Sequence, residues 1–227
     1  MIQLKINGKT VHADEGQTIL EVARAEEIKI PTLCFHEKLG SSGRCKLCVV
    51  QMRTLDGDER IVASCLYKAK EGMEIVTDSP EVAEARKRNL SELVAMAPSA
   101  ERLQYLAIRY GLPIPDHAPE QDGNKCILCT LCVRTCKRVV GVGALSVSRK
   151  IQVSDACIGC GACVVVCPTG HIKMAEANGT RTVWGKSFDL ALCPKCGRPQ
   201  APLFQLQWIS ERVHVPMEEL VICPDCR

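Results

Sequence analysis

Cysteines recur at a fixed spacing in the stretches CILCTLCVRTC (residues 126–136) and CIGCGACVVVCP (residues 157–168), which are separated by twenty residues. Each has the order C-x2-C-x2-C-x3-C. The short gaps let three thiolates on one loop reach three corners of a cubane, and the fourth cysteine ligates the other cluster. The spacing therefore predicts two [4Fe-4S] clusters with crossed ligation, one at Cys126, Cys129, Cys132 and Cys167, the other at Cys157, Cys160, Cys163 and Cys136.

The surroundings of these runs fit clusters better than zinc or nucleic acid. Gly159 and Gly161 ease the bending of the backbone around sulfur. Zinc knuckles use C-x2-C pairs rather than triple runs with a fourth cysteine. Residues 125–175 contain seven Lys or Arg, one Asp and no aromatic residue. We interpret the bases as compensation for cluster charge, because a surface that stacks nucleic acid bases would need aromatic side chains.

A second set of four cysteines precedes these runs, with the spacing Cys34-x10-Cys45-x2-Cys48-x16-Cys65. One C-x2-C pair with two outlying cysteines offers two thiolates to each iron of a [2Fe-2S] cluster, and the glycine- and serine-rich residues 40–43 supply a flexible loop. A structural zinc site is the alternative. The first gap is longer than in the plant-type ferredoxin spacing C-x4-C-x2-C.

Residues 1–78 are expected to form a small α+β domain around these four cysteines, of β-grasp-like [2Fe-2S] ferredoxin type. Alternation in residues 2–6 and 9–13 around Asn7-Gly8 predicts a hairpin, residues 18–25 a short helix, and residues 73–77 a closing strand. A helical hairpin follows at 79–111, with Ser79 and Ser99 as expected N-caps. A proline-rich linker is expected at 112–124, and the two-[4Fe-4S] domain at 125–178.

The last four cysteines form two C-P-x-C knuckles, and residues 179–227 are expected to be a small zinc-ribbon-like domain. Each knuckle would turn two thiolates toward one tetrahedral ion, and residues 203–209 would form a helix over the site. Zinc is the favoured metal, while a third [4Fe-4S] cluster or a rubredoxin-like single iron remain alternatives, since both metals accept four sulfurs. The predicted ligands are Cys193, Cys196, Cys223 and Cys226.

Composition limits the location and the use of the thiols. The chain has 227 residues, of which 16 are Cys. It lacks an apolar run long enough for a transmembrane segment and begins without a secretory signal pattern, so we expect a cytoplasmic protein. Cytoplasmic thiols are kept reduced, and metal binding is therefore favoured over disulfides. The net charge of +3 counts every thiol as neutral, and it gives no indication of nucleic acid binding.

Two family resemblances follow from these motifs. Residues 125–175 resemble the bacterial two-[4Fe-4S] ferredoxin domain, with Lys137 where proline is common. The words IPTLC (30–34), GRCKLC (43–48) and ASC (63–65) resemble the N-terminal [2Fe-2S] domain of the large iron-sulfur subunit of complex I, diaphorase subunits of NAD-reducing hydrogenases, and iron-only hydrogenase N-termini. That family usually has a His-x3-Cys-x2-Cys-x5-Cys motif between the blocks, but residues 79–111 contain neither Cys nor His.

The resemblance implies an α+β electron-transfer subunit. It would relay electrons through one [2Fe-2S] and two [4Fe-4S] clusters between a flavin- and NAD(P)H-handling subunit and a hydrogenase- or formate-dehydrogenase-type partner. We expect no catalytic residues: Gly141-Val142-Gly143 lacks the third glycine of a dinucleotide fingerprint, and His117 and His36 are interpreted as linker and loop residues. The alternatives are a free ferredoxin-like shuttle and a zinc-rich nucleic-acid adaptor.

Overall fold

The computed structural model of the protein describes residues 1–114 and 125–227, which form two compact units, Met1–Thr130 and Leu131–Arg227. The expected linker lies outside the described residues from residue 115 onward, and so does His117. Within the described ranges, no helix is both long and apolar enough to cross a membrane.

The first unit is built on a mixed five-stranded sheet with the strand order β2-β1-β5-β3-β4. Strand β1 pairs antiparallel with β2 and parallel with β5, and β3 pairs antiparallel with both β4 and β5. The Asn7-Gly8 hairpin predicted from the sequence is confirmed. The strands are β1 (Ile2–Ile6), β2 (Lys9–Ala13), β3 (Val49–Arg53), β4 (Glu59–Ala63) and β5 (Glu74–Val76).

Helix α1 (Ile19–Ala25) packs its apolar residues against this sheet, together with the buried side chains of β1 and β2. Its start is fixed by a capping box: the Thr18 hydroxyl accepts from the Glu21 N–H, and the Glu21 carboxylate accepts from the Thr18 N–H. A short helix on a mixed sheet results. The core shared by helix and sheet includes Leu4, Ile6, Val11, Ile19, Leu20, Val22, Val50, Met52 and Ile75.

Two helices follow the sheet, α2 (Pro80–Met96) and α3 (Glu101–Arg109). The predicted cap of α2 is confirmed, since the Ser79 hydroxyl accepts from the Val82 N–H at 3.3 Å. The cap predicted for α3 is wrong, because its N-cap is Ala100 and no side chain caps it. Ala100 is fully buried, so packing rather than a hydroxyl fixes this helix start.

The second unit begins with α4 (Leu131–Arg134) and a π-helical turn (Thr135–Val140), followed by the hairpin of β6 (Leu145–Val147) and β7 (Ile151–Val153) and by α5 (Ala162–Val165). A four-stranded sheet of order β11-β10-β9-β8 comes next. Its pairing crosses residues 178 and 179, between which the sequence divides two expected domains; that boundary stays a proposal. The remaining elements are β8 (Met174–Ala177), β9 (Thr180–Val183), β10 (Lys186–Leu192), β11 (Pro199–Pro202), α6 (Leu203–Val213) and α7 (Met217–Leu220).

Candidate metal centres

The four cysteines of the first unit are all buried and lie as two pairs. Cys34 pairs with Cys45, and Cys48 with Cys65, through hydrogen bonds between their thiols. Backbone N–H groups also point at sulfur: that of Cys45 donates to Cys34 Sγ at 3.5 Å, and that of Leu33 to Cys45 Sγ at 3.4 Å. N–H groups aimed at sulfur favour the thiolate form, which is the form that binds metal.

The electrostatics of the two pairs agree with this geometry. The hydrogen bond from Cys45 lowers the pKa of Cys34 to about 4, against the opposing effect of burial, and the bond from Cys65 lowers the pKa of Cys48 to about 7. The same bonds and burial raise the pKa of Cys45 and Cys65. One thiolate in each pair is thus stabilised before any metal binds, and a cation between the pairs would stabilise all four.

The loop between Cys34 and Cys45 requires glycine at one close approach. Gly43 has φ +67°, and a Cβ there would lie 2.5 Å from the Leu66 side chain. The preceding Ser42 hydroxyl donates to the Cys129 carbonyl at 3.1 Å and also hydrogen bonds to the Cys34 thiol. Ser42 therefore links the [2Fe-2S] candidate loop to residues 126–130, the beginning of the upstream ferredoxin run, within the first unit.

The upstream run bends tightly around its first cysteines. Leu128 and Thr130 have φ +51° and +60°, which is uncommon for residues with a side chain. The Leu128 N–H donates to Cys126 Sγ at 3.4 Å. The last ligands predicted for this cluster, Cys132 and Cys167, belong to the second unit, where both pack in one apolar cluster.

The second unit brings together all four ligands predicted for the downstream cluster. Cys136, from the first run, lines one cavity with three cysteines of the second run, Cys157, Cys160 and Cys163. The rest of the lining is apolar apart from backbone, and includes Val183 and Trp184 from the C-terminal sheet. Burial raises the pKa of Cys163 to about 11, while the Trp184 indole N–H, which donates to Cys163 Sγ at 3.3 Å, opposes that shift.

Trp184 was not found by sequence reasoning, although a signal existed. It begins a two-residue turn, Trp184-Gly185, in a sequence that otherwise places asparagine before glycine in its hairpins. The glycines singled out in the second run are closely covered: a Cβ on Gly159 would lie 2.6 Å from the Phe188 ring, and one on Gly161 2.6 Å from Met174 Sδ. The C-terminal sheet thus packs directly on the cysteine loop.

The C-terminal knuckles form a compact four-sulfur site. The sulfurs of Cys193, Cys196, Cys223 and Cys226 all lie within 4.8 Å of one another, and those of Cys196 and Cys223 are 3.6 Å apart. The Cys223 N–H donates to Cys193 Sγ and, as the largest contribution, lowers the pKa of Cys193 to about 6. Hydrogen bonds to its neighbours, Cys223 foremost, raise the pKa of Cys226 to about 12.

His36 has a local structural role. Its Nδ1 accepts from the Lys38 N–H at 3.2 Å, and its backbone carbonyl accepts from the Leu39 and Gly40 N–H groups. These bonds shape the turn that leads into residues 40–43.

Family comparisons agree with the cysteine sets. Residues 1–80 match the 2Fe-2S iron-sulfur cluster binding domain, and residues 118–168 and 156–201 match two 4Fe-4S dicluster domain models. The sequence and fold thus define an iron-sulfur protein with one 2Fe-2S domain and a dicluster 4Fe-4S region.

Whole-chain relatives narrow the class. The chain is similar to the NADPH-Fe(3+) oxidoreductase subunit alpha of Geobacter sulfurreducens, with 28% identity over 86% of this chain and 27% of that protein. The NADP-reducing hydrogenase subunit HndD of Solidesulfovibrio fructosivorans is 33% identical over 78% of this chain and 36% of its own length. The chain therefore spans about a quarter to a third of these relatives.

A solved structure gives the more complete match. A chain in the crystal structure of an NAD+-reducing [NiFe]-hydrogenase in the H2-reduced state is 30% identical, with a TM-score of 0.57, over 67% of this chain and 74% of that chain. The chain belongs to the family of iron-sulfur subunits that includes this hydrogenase chain and an NADH-quinone oxidoreductase chain of Rhizobium meliloti. This confirms the family resemblance inferred from the cysteine words.

Proposed function

We propose that the protein is a cytoplasmic electron-transfer subunit. It would relay electrons through one [2Fe-2S] and two [4Fe-4S] clusters between a flavin- and NAD(P)H-handling subunit and a hydrogenase- or formate-dehydrogenase-type partner. The observation that carries the proposal is the presence of two kinds of thiol centre in one chain: the buried pairs of the first unit and the cysteine-lined cavity of the second. When bound, each cluster accepts and releases one electron, and the chain holds it in place.

The thiol pairs suggest how a [2Fe-2S] cluster would be held on the β-grasp-like sheet. Cys34 and Cys45 would bind one iron, and Cys48 and Cys65 the other, because each iron of such a cluster takes two thiolates. The N–H groups of Leu33 and Cys45 would then donate to ligand sulfurs and stabilise the added negative charge of the reduced state. Burial of all four sulfurs excludes water from the cluster.

The crossed ligation of the [4Fe-4S] clusters is supported for the downstream cluster by the shared cavity of Cys136 with Cys157, Cys160 and Cys163. For the upstream cluster, Cys126, Cys129, Cys132 and Cys167 are proposed from the spacing alone.

The order of the relay follows from the first unit. The Ser42 hydroxyl hydrogen bonds to the Cys34 thiol and donates to the Cys129 carbonyl. The loop of a proposed [2Fe-2S] ligand therefore contacts a loop of the upstream [4Fe-4S] motif. We propose that electrons pass between the [2Fe-2S] cluster and the downstream cluster through the upstream cluster.

The C-terminal site fits a single tetrahedral ion better than a cluster, and we propose zinc. A Zn–S distance of 2.3 Å gives a spacing of about 3.8 Å between the sulfurs. The observed Cys196–Cys223 spacing of 3.6 Å is close to this, and all four sulfurs lie within 4.8 Å. A cubane would place its cysteine sulfurs farther apart, because iron and sulfide ions lie between them.

The test of the function is reduction in the presence of its proposed partner. The protein, purified without oxygen, is mixed with NADH or NADPH with and without the flavin subunit of its complex, and cluster reduction is followed by EPR. We expect reduction only with the flavin subunit, since the described residues include no dinucleotide-binding loop. Reduction by the nucleotide alone would contradict the proposal. A free shuttle would form no complex stable to gel filtration.

A further inference from the structure

Trp184 occupies a turn that ordinary hairpin chemistry would give to asparagine. Three hairpins in the described part of the chain have two-residue turns with positive φ at both positions, the geometry that favours Asn-Gly. Two of them do contain Asn-Gly, at residues 7–8 and 178–179, whereas the turn between β9 and β10 contains Trp184-Gly185, with φ +57° and +72°. A bulky residue in the left-handed region costs conformational energy, and such positions concentrate at functional sites.

The side chain of Trp184 shows what this position provides. Its indole N–H donates to Cys163 Sγ at 3.3 Å, and its ring lines the cavity shared by the four downstream-cluster cysteines. The His171 ring lies edge to face with it, with centroids 6.1 Å apart and an interplanar angle of 67°. Asparagine at the same turn would be too short to fill this space and reach the sulfur.

We propose that Trp184 sets the reduction potential of the downstream [4Fe-4S] cluster by donating a hydrogen bond to its ligand sulfur. The inference rests on the proposed function, which places Cys163 among the ligands. One electron from the reductant adds negative charge that spreads onto the cysteine sulfurs. A donor N–H stabilises this more negative state and raises the potential.

The test is a redox titration with dithionite, followed by EPR, of wild-type protein and Trp184→Phe. Phenylalanine keeps an aromatic ring but removes the N–H. We expect the reduction equilibrium of one [4Fe-4S] cluster to become up to about tenfold less favourable, which is a fall of up to about 59 mV for a one-electron couple. The other clusters should keep their potentials.

The matched control is Trp208→Phe. The Trp208 indole N–H donates to the Val140 carbonyl at 3.3 Å rather than to a sulfur, so its loss should leave all midpoint potentials unchanged. An unchanged potential in Trp184→Phe with its clusters present would overturn the inference. Wild-type protein without [4Fe-4S] signals would instead overturn the proposed function.

A second measurement avoids any loss of folding in Trp184→Phe. The chain has two tryptophans, so Trp208→Phe protein labelled with 15N-indole tryptophan contains one labelled ring, that of Trp184. Pulsed ENDOR of its reduced cluster should show a 15N coupling and an exchangeable proton lost in D2O. The absence of both signals from a loaded cluster would overturn the inference.

Discussion

Single residues determine which sulfur meets which partner. Cys136 ends the first ferredoxin run in sequence, yet it lines the cavity of the second run. The C-x2-C-x2-C-x3-C spacing was sufficient to predict this association, because three close cysteines leave one cubane corner for a distant residue. The spacing could not predict Ser42 or Trp184, whose hydrogen bonds to a cysteine depend on tertiary packing.

Replacement of Cys136 by Ala should damage the downstream cluster. That cluster would lose one of its four thiolates, while the upstream cluster at Cys126, Cys129, Cys132 and Cys167 would keep all of its ligands. We expect a loss of up to about four irons per chain and of the magnetic interaction between the two [4Fe-4S] clusters, measured by iron analysis and EPR. Cys167→Ala is the matched variant, and it should damage the other cluster. The reverse assignment of losses would contradict crossed ligation.

Replacement of Gly159 by Ala should destabilise the second unit through a steric clash with Phe188. The control is Gly143→Ala, which has the same φ of +69° but nothing within 4 Å of the added Cβ. Left-handed strain should cost each variant about 1–2 kcal/mol, and the clash should add about 1–3 kcal/mol in Gly159→Ala only. Thermal unfolding measures the difference, and equal losses in the two variants would show that the Phe188 ring moves aside freely.

At the scale of elements, strong periodic patterns were predicted and weak ones were not. The β1–β2 hairpin and the start of α2 follow from local signals, Asn7-Gly8 and Ser79-Pro80. Strand β8 has four exposed residues and therefore no alternation to detect. Strands β3 and β4 lie within and beside the cysteine set, where metal-ligand spacing masks the strand pattern. Such strands are specified by pairing with distant segments rather than by their own residues.

The double variant Cys196→Ser and Cys226→Ser should remove the C-terminal metal and leave the upstream clusters intact. Each knuckle would lose one thiolate, while none of the predicted cluster ligands would change. We expect about one equivalent of zinc in the wild-type protein and none in the variant, with the EPR signals of the three clusters unchanged. Weaker binding of the partner subunits should follow, because the end of the chain would unfold.

The control for the C-terminal variant is Ser210→Ala, a change in α6 that leaves all sixteen cysteines in place. It should retain the zinc. About four additional irons and a fourth cluster signal in the wild-type protein would contradict a zinc site and extend the electron path to residues 193–226.

At the scale of the whole molecule, the sets of thiols predict the metal content. Twelve cysteines with all-thiolate ligation accommodate about ten irons, two in the first domain and eight in the dicluster region. We expect this content, with one zinc, in protein purified without oxygen, measured by metal analysis with EPR after reduction. Apoprotein loaded with zinc alone is the control. An iron content near two would contradict the two [4Fe-4S] clusters.

The C-terminal sheet has a consequence for biogenesis. Val183 and Trp184 line the cysteine cavity, and Phe188 lies over Gly159, yet all three follow the last ferredoxin cysteine in the chain. Because synthesis proceeds from the N-terminus, the eight cysteines of residues 126–167 leave the ribosome before the segment that covers them. Scaffold proteins that deliver preassembled iron and sulfide can reach the downstream ligands only until β9 and β10 pair. Cluster insertion must therefore precede the closing of this hairpin, and the finished sheet then shields the inserted cluster from oxygen.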